Sequence, residues 1–248
     1  HRDPRGGNRV PAVPVGELMR GFTQLNRVNR LGMAGGNPPS LVYKVTVTAG
    51  YAHTPKFTML GGAPAAVVDW GDGTAQTSVV SGTELSHTYT NAGTYTVRLI
   101  QPNQTAWLQQ IDINNDKVSS FILSMLKRFT ALTYFNSYGG NNAVTGSLSD
   151  LPSGMTYFNC GIGSNAVTGS LSSLPAGMTV LTCNAGNNAI TGSLSDLPSG
   201  MTNLLCNGGN NSITGGTTAC PARGLSSLDV NNQHATQATV DGILLRLW

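Results

Sequence analysis

Three cysteines recur at a fixed interval of 23 residues, at Cys160, Cys183 and Cys206. Thiolates are zinc ligands, but a zinc site needs four ligands around one point. A constant interval instead places the side chains at equivalent positions of successive repeats, stacked in a line about 4.8 Å apart. We therefore expect a row of buried thiols, with a disulfide and a metal site as less favoured alternatives. Cys220 falls outside this interval, and its redox state stays open.

Two pairs of aspartates could also do chemistry. Asp69 and Asp72 lie in a glycine-rich turn, but calcium takes six to eight oxygen ligands, so we expect both to hydrogen-bond the turn itself. Asp150 and Asp196 lie two repeats apart, roughly 10 Å by strand spacing, which is within range for a glycosidase pair. The two aspartates occupy the same position of the repeat, and this repetition explains their spacing better than a catalytic pair does.

Other catalytic signatures are missing from the sequence. It contains no nucleophile elbow, zinc-protease helix, phosphate-binding loop or dinucleotide fingerprint. The sequence therefore predicts a chain that is not an enzyme and uses neither a cofactor nor a metal.

The composition favours short strands over long helices. Only 10% of the 248 residues are charged, compared with about 25% in ordinary soluble proteins, and 31 residues are glycine. The net charge of +3 is concentrated in residues 1–40, where six arginines accompany only Asp3 and Glu17. These arginines are dispersed, which disfavours nucleic-acid binding, and no segment is apolar enough for a membrane span.

The segment NNAVTGSLSDLPSGMTYFNC, from Asn141 to Cys160, is nearly repeated from Ser164 and again from Asn187. Such a period is typical of a solenoid, in which stacked coils bury a continuous core. We count about six coils across residues 108–248, the outer ones atypical. The expected apolar columns are Val144, Val167, Ile190, Ile213; Leu148, Leu171, Leu194; Leu151, Leu174, Leu197; and Met155, Met178, Met201. The polar columns are Asn142, Asn165, Asn188, Asn211 and Thr145, Thr168, Thr191, Thr214.

These polar columns have two interpretations. Asparagine ladders are structural in most solenoids because they hydrogen-bond the backbone between coils. A regular face of threonine and asparagine could also bind glycans or ice.

The repeat resembles the leucine-rich repeat. Met155, Phe158 and Cys160 fill its L-x-x-L-x-L positions, and AITGSLSDLP is similar to the L-T-G-x-I-P stretch of plant receptors. The resemblance implies a strand at the start of each coil, and LPSG is expected to turn the chain back into the next coil.

Residues 41–101 are predicted to be all-β. LVYKVTVTA alternates between two sides of a strand, and VDWGDGT, HTY and AGTYTVRL follow it in order. This pattern resembles the PKD-type immunoglobulin-like domain. The resemblance implies a non-catalytic β-sandwich that serves as a spacer or as a protein- or glycan-binding module, with Trp70 and Tyr95 in its core and Gly71 and Gly73 in a tight turn.

The predicted fold class is all-β dominated: a PKD-type immunoglobulin-like β-sandwich followed by a leucine-rich-repeat-like solenoid with a C-terminal helical cap. The predicted parts are a basic Pro/Gly-rich arm and linker (1–40), the sandwich (41–101) and the solenoid (102–248), with its cap at about 225–248. The arm is expected either to pack on its own domain or to anchor the chain on a partner or a neighbouring copy, through Arg20, Phe22, Leu25, Arg27 and Arg30.

The predicted function is that of a surface-displayed structural or binding protein, a virion appendage or decoration component assembled through its arm. A bacterial cell-surface adhesin or glycan-binding module is the alternative, and a polysaccharide-active enzyme is less favoured. The expected location is extracellular or on a virion, and the expected partners are proteins or further copies of the chain, with glycans as a second class. The predicted contact face comprises Tyr134, Asn136, Tyr157, Asn159, Thr179 and Thr202.

Overall fold

The structure, a computed structural model, describes residues 40–100, 106–114, 116–215 and 220–230. The anchor residues of the arm and the predicted boundary at residues 101–102 lie outside these ranges, so both stay predictions. The predicted helical cap falls mainly on residues 231–248, which are also outside them. Within its first residues, Ser227–Asp229 form a strand.

The N-terminal strands pair only antiparallel with one another, and most of the pairs join strands that are not consecutive in the chain. In β1 (Ser40–Val47), the alternation predicted from the sequence is observed: Leu41, Tyr43, Val45 and Val47 are buried. The other strands are β2 (Tyr51–His53), β3 (Lys56–Met59), β4 (Val67–Asp69), β5 (Thr77–Ser78), β6 (His87–Tyr89) and β7 (Gly93–Ile100).

The coils each add one strand to each of two parallel stacks. The first stack contains β8 (Leu108–Asp112), β10 (Tyr134–Asn136), β12 (Tyr157–Asn159), β14 (Val180–Thr182), β16 (Asn203–Leu205) and β18 (Ser227–Asp229). The second contains β9 (Val118–Ile122), β11 (Val144–Ser147), β13 (Ala166–Ser170), β15 (Ala189–Ser193) and β17 (Ser212–Thr214). Short 3-10 helices cover Leu123–Arg128, Leu148–Asp150, Leu171–Ser173 and Leu194–Asp196. The prediction of a β-rich chain with solenoid-like stacking is confirmed.

The antiparallel strands and the coils share both sheets. Strand β1 pairs antiparallel with β9, and β3 pairs antiparallel with β8. The result is a nine-stranded sheet in the order β17-β15-β13-β11-β9-β1-β7-β4-β5 and a seven-stranded sheet in the order β18-β16-β14-β12-β10-β8-β3. The described residues accordingly belong to one compact unit. We call the junction of β1 and β3 with the first coil the seam.

The core continues across the seam. Ring centroids lie 6.1 Å apart for Tyr43 and Phe121, 4.9 Å for Phe121 and Phe135, and 5.2 Å for Phe135 and Phe158. The predicted apolar columns point inward, and nearly all of their members are buried, Leu174 being only partly so. Stacked coils therefore bury apolar surface that no single coil could cover.

A ladder of asparagines satisfies the buried backbone between coils. Asn165 Oδ1 accepts from Val144 N of the preceding coil at 2.9 Å, and its Nδ2 donates to Cys160 O of its own coil. Asn142, Asn188 and Asn211 make equivalent bonds, and all four side chains are fully buried. These asparagines are structural, as their column predicted.

The threonine column is staggered. Thr168 pairs in register with Ser147 on one side and with Ala189 on the other, so the threonines do not lie opposite one another. Their hydroxyls instead donate to carbonyls of the preceding coil, as Thr168 Oγ1 does to Gly146 O at 3.3 Å. Threonines of successive coils are therefore offset by two residues along the strands, which keeps them on one face but not opposite one another.

Candidate functional site on the strand face

The cysteines form the buried row that their spacing predicted. Cys160, Cys183 and Cys206 are free thiols with no exposed surface, and Cys160 Sγ lies 3.3 Å from Cys183 Sγ. Burial, followed by contact with the other two thiols, raises the pKa of Cys183 well above its usual value, so it stays protonated. In the described part of the chain, no group of three or more His, Cys, Asp or Glu side chains is arranged to hold a metal ion.

The candidate catalytic aspartates are engaged in local turns. Asp150 Oδ2 accepts from Ser147 N at 3.3 Å, and Asp196 Oδ2 accepts from Ser193 N at 3.1 Å, so each completes a capping box on a 3-10 helix. Coil-to-coil equivalence therefore explains both residues.

The two aspartates of the glycine-rich turn accept hydrogen bonds from within the turn. Asp69 Oδ1 accepts from Gly71 N, and Asp72 Oδ1 accepts from Thr74 N and Thr74 Oγ1. Gly71 has a φ of 79°, and a Cβ there would lie 2.4 Å from Thr96 O, so the turn requires glycine at this position. The aspartates hold the turn, as expected.

Asp72 also links the turn to the core of the antiparallel strands. His87 Nε2 lies 2.8 Å from Asp72 Oδ2, and its ring stacks on Trp70 at 4.7 Å. Burial would raise the pKa of Asp72, but hydrogen bonds from Thr74 and His87 outweigh it and hold the pKa below its usual value. Trp70 is buried as predicted, whereas Tyr95 is only half-buried and stacks on Tyr89.

A buried polar chain at the seam was not predicted. Tyr43 Oη lies 2.8 Å from His53 Nε2, and His53 Nδ1 lies 2.9 Å from Asp116 Oδ1, although the ring N–H is not aligned with that oxygen. Asp116 Oδ1 also accepts from Thr54 N at 2.8 Å. The side chains of Tyr43, His53 and Asp116 are at most 2% exposed, so they hold the seam together and do not face a substrate.

Two tyrosines stack on the outward side of the first parallel stack, which we call the strand face. Tyr134 and Tyr157 lie in register with ring centroids 4.4 Å apart and an interplanar angle of 11°. Burial, followed by the neighbouring Tyr157 and Asp112, raises the pKa of Tyr134 to about 12. Its hydroxyl therefore stays a hydrogen-bond donor at neutral pH.

The predicted asparagines hold this pair and its surroundings. Asn159 Nδ2 donates to Tyr157 Oη at 3.2 Å, and its Oδ1 accepts from Gly161 N at 3.0 Å. Asn136 Nδ2 donates to Asp112 Oδ1, and its Oδ1 accepts from Tyr138 N. The structure thus brings together four of the six residues predicted for the face.

The two predicted threonines serve a different role. Thr179 Oγ1 donates to Thr156 O at 2.9 Å, and Thr202 Oγ1 donates to Thr179 O at 3.0 Å. Their hydroxyls are engaged in bonds between coils, so they do not extend the tyrosine pair.

Two exposed residues on the same two coils were missed. Tyr138 and Ile162 are 42% and 43% exposed. A Cβ on Gly161, which precedes Ile162, would lie 3.0 Å from Tyr138 Cδ2, so glycine leaves room for the ring. We call Tyr134, Tyr138, Tyr157 and Ile162 the tyrosine patch.

The signal that could have found the patch is departure from the repeat. Tyr138 is followed at intervals of 23 by Gly161, Asn184 and Asn207, while Ile162 replaces the Gly or Ala of other coils. Aligning the coils reveals the residues that they have in common. Tyr138 and Ile162 were missed because they differ from the residues at the same positions of the other coils.

Comparison of the chain with family models, curated proteins and solved structures finds no match. Among the residues that the structure describes, no helix combines the length and the apolarity needed to cross a bilayer.

Proposed function

We propose that the chain is a non-enzymatic structural or binding protein displayed on a surface, a virion appendage or decoration component that assembles through its basic arm. A bacterial cell-surface adhesin is the alternative setting. The fold proposed for this role is a PKD-type immunoglobulin-like sandwich joined to a leucine-rich-repeat-like solenoid.

The observation that carries the proposal is how the polar groups are used. The aspartates, the asparagine ladder and the threonine hydroxyls described above bond to the backbone of their own or a neighbouring coil. Side chains engaged in this way stabilise a scaffold, whereas catalysis needs groups directed at a substrate. The shared sheets support the same role, because they join the two regions through continuous hydrogen bonding.

The test is the assembly state of the full chain and of a variant lacking residues 1–39. We expect electron microscopy and light scattering to show filaments or decorated particles for the full chain and dispersed monomers for the truncated one. A second variant replaces Arg20, Arg27 and Arg30 with Gln, which keeps the length of the arm and removes charge, and it should also weaken assembly. Unchanged assembly after truncation, or a full chain that stays monomeric, would contradict the proposal.

A further inference from the structure

We propose that the tyrosine patch binds a neutral saccharide. This inference rests on the proposed function, because it gives a non-enzymatic surface protein its ligand class. The site lies on two adjacent coils and consists of the stacked rings of Tyr134 and Tyr157, the exposed ring of Tyr138 and the exposed side chain of Ile162.

The patch is not needed by the coils that carry it. In register with Tyr157, the following strands carry Val180 and then Asn203. Because those coils stack equally well without aromatic residues, packing does not require tyrosine at this position. The patch residues differ from their counterparts in otherwise near-identical coils, which indicates that they serve a role other than folding.

Contacts hold the patch in one geometry before any ligand arrives. Asn159 joins its parts, since its Nδ2 donates to Tyr157 Oη and its Oδ1 accepts from the amide of Gly161, against which Tyr138 packs. A site fixed in this way binds with a smaller loss of side-chain entropy.

The charge around the patch selects against anionic ligands. No lysine or arginine occurs between Arg128 and Arg223, so the coils in this range cannot pair an anion. The nearest charge on the strand face is Asp112, bonded to Asn136, and it repels anions. Tyrosine hydroxyls and amide groups remain, and these hydrogen-bond uncharged hydroxyls.

The size of the patch favours a saccharide over a protein. Stable protein interfaces bury about 800 Å² per partner and use roughly 20–30 residues a side. Four side chains on two coils are too few for that, but they match a few sugar rings, whose apolar faces pack on aromatic rings while their hydroxyls bond to polar groups.

The experiment measures binding of the full chain to neutral oligosaccharides of glucose, galactose and N-acetylglucosamine, with a sialylated oligosaccharide as the charged comparison. We expect a neutral oligosaccharide to bind, Tyr138→Ala to weaken it at least tenfold and Tyr157→Phe to weaken it several-fold. The matched control is Thr168→Ala, an exposed substitution on the second stack, which should leave affinity unchanged. Thermal unfolding of each variant establishes that it is folded.

Three results would overturn the inference. They are binding that Tyr138→Ala does not change, a preference for the sialylated probe, and no binding across the panel. If Tyr138→Ala abolishes self-association without affecting saccharide binding, the patch contacts a second copy and the inference is likewise wrong. Because assembly is measured separately, failure here leaves the proposed function standing.

Discussion

At the scale of single residues, Asp116 replaces an asparagine in the ladder. It precedes Val118 by two residues, as Asn142 precedes Val144, and Val118 N donates to Asn142 as Val144 N donates to Asn165. Among the residues that the structure describes, no coil precedes this one, and the groups beside Asp116 Oδ1 are Thr54 N and His53 Nδ1. A carboxylate suits that setting because it only accepts hydrogen bonds.

We expect Asp116→Ala to destabilise the protein by about 2–4 kcal/mol, since it leaves the buried Thr54 amide without its acceptor and removes the carboxylate that lies 2.9 Å from buried His53 Nδ1. Asp116→Asn should cost roughly half as much because it keeps one acceptor oxygen. Denaturant unfolding of both variants is the measurement. Equal losses of unfolding free energy for the two variants would show that the acceptor oxygen kept by asparagine does not stabilise the seam.

The raised pKa of Tyr134 predicts that the protein loses stability at high pH. This pKa is raised from 10.0 to about 12, so the contribution of Tyr134 is complete below the usual tyrosine pKa and is lost as the pH rises through the folded value. Tyr134→Phe keeps the ring but cannot ionise. We expect wild type to lose stability more steeply than this variant between about pH 10 and about pH 12, as measured by urea unfolding. Parallel pH profiles would contradict the assignment.

At the scale of elements, the asparagine ladder holds the coils in register. Asn165→Ala removes the acceptor of Val144 N and the donor to Cys160 O, both buried. We expect a loss of at least about 2 kcal/mol in unfolding free energy. Ser153→Ala is the control, because Ser153 is exposed and the next coil carries Ala176 at the same position, and it should change the free energy by less than about 0.5 kcal/mol. Similar losses for the two variants would argue against the ladder.

The coils were predictable from the sequence because periodicity marks every column that faces inward. Val144, Cys160 and Asn165 each recur at intervals of 23, and a repeated position has a repeated environment. The seam had no such signal, because β1 pairs with β9 only once and β1 has no counterpart among the coils. Thr179 was assigned to the contact face because the sequence does not show that its hydroxyl reaches a carbonyl of the preceding coil.

At the scale of the whole molecule, the shared core predicts coupled unfolding. Phe121 lies between Tyr43 of β1 and Phe135 of the coils. Phe121→Ala should cost about 3–5 kcal/mol and lower hydrogen-exchange protection in both β1 and β11. Phe158→Ala, three coils into the stack, is the comparison and should affect β1 less. Loss of protection confined to one side of the seam would show that the two regions unfold separately.

The constant register has a consequence for length. In the first stack, β12, β14 and β16 each lie 23 residues after the preceding strand and pair with it residue for residue. Inserting one more copy of residues 164–186 should therefore lengthen the stack by about 4.8 Å and leave both ends as they are, which small-angle scattering can measure. The number of copies of the repeat then sets the distance between the first coil and the last coil.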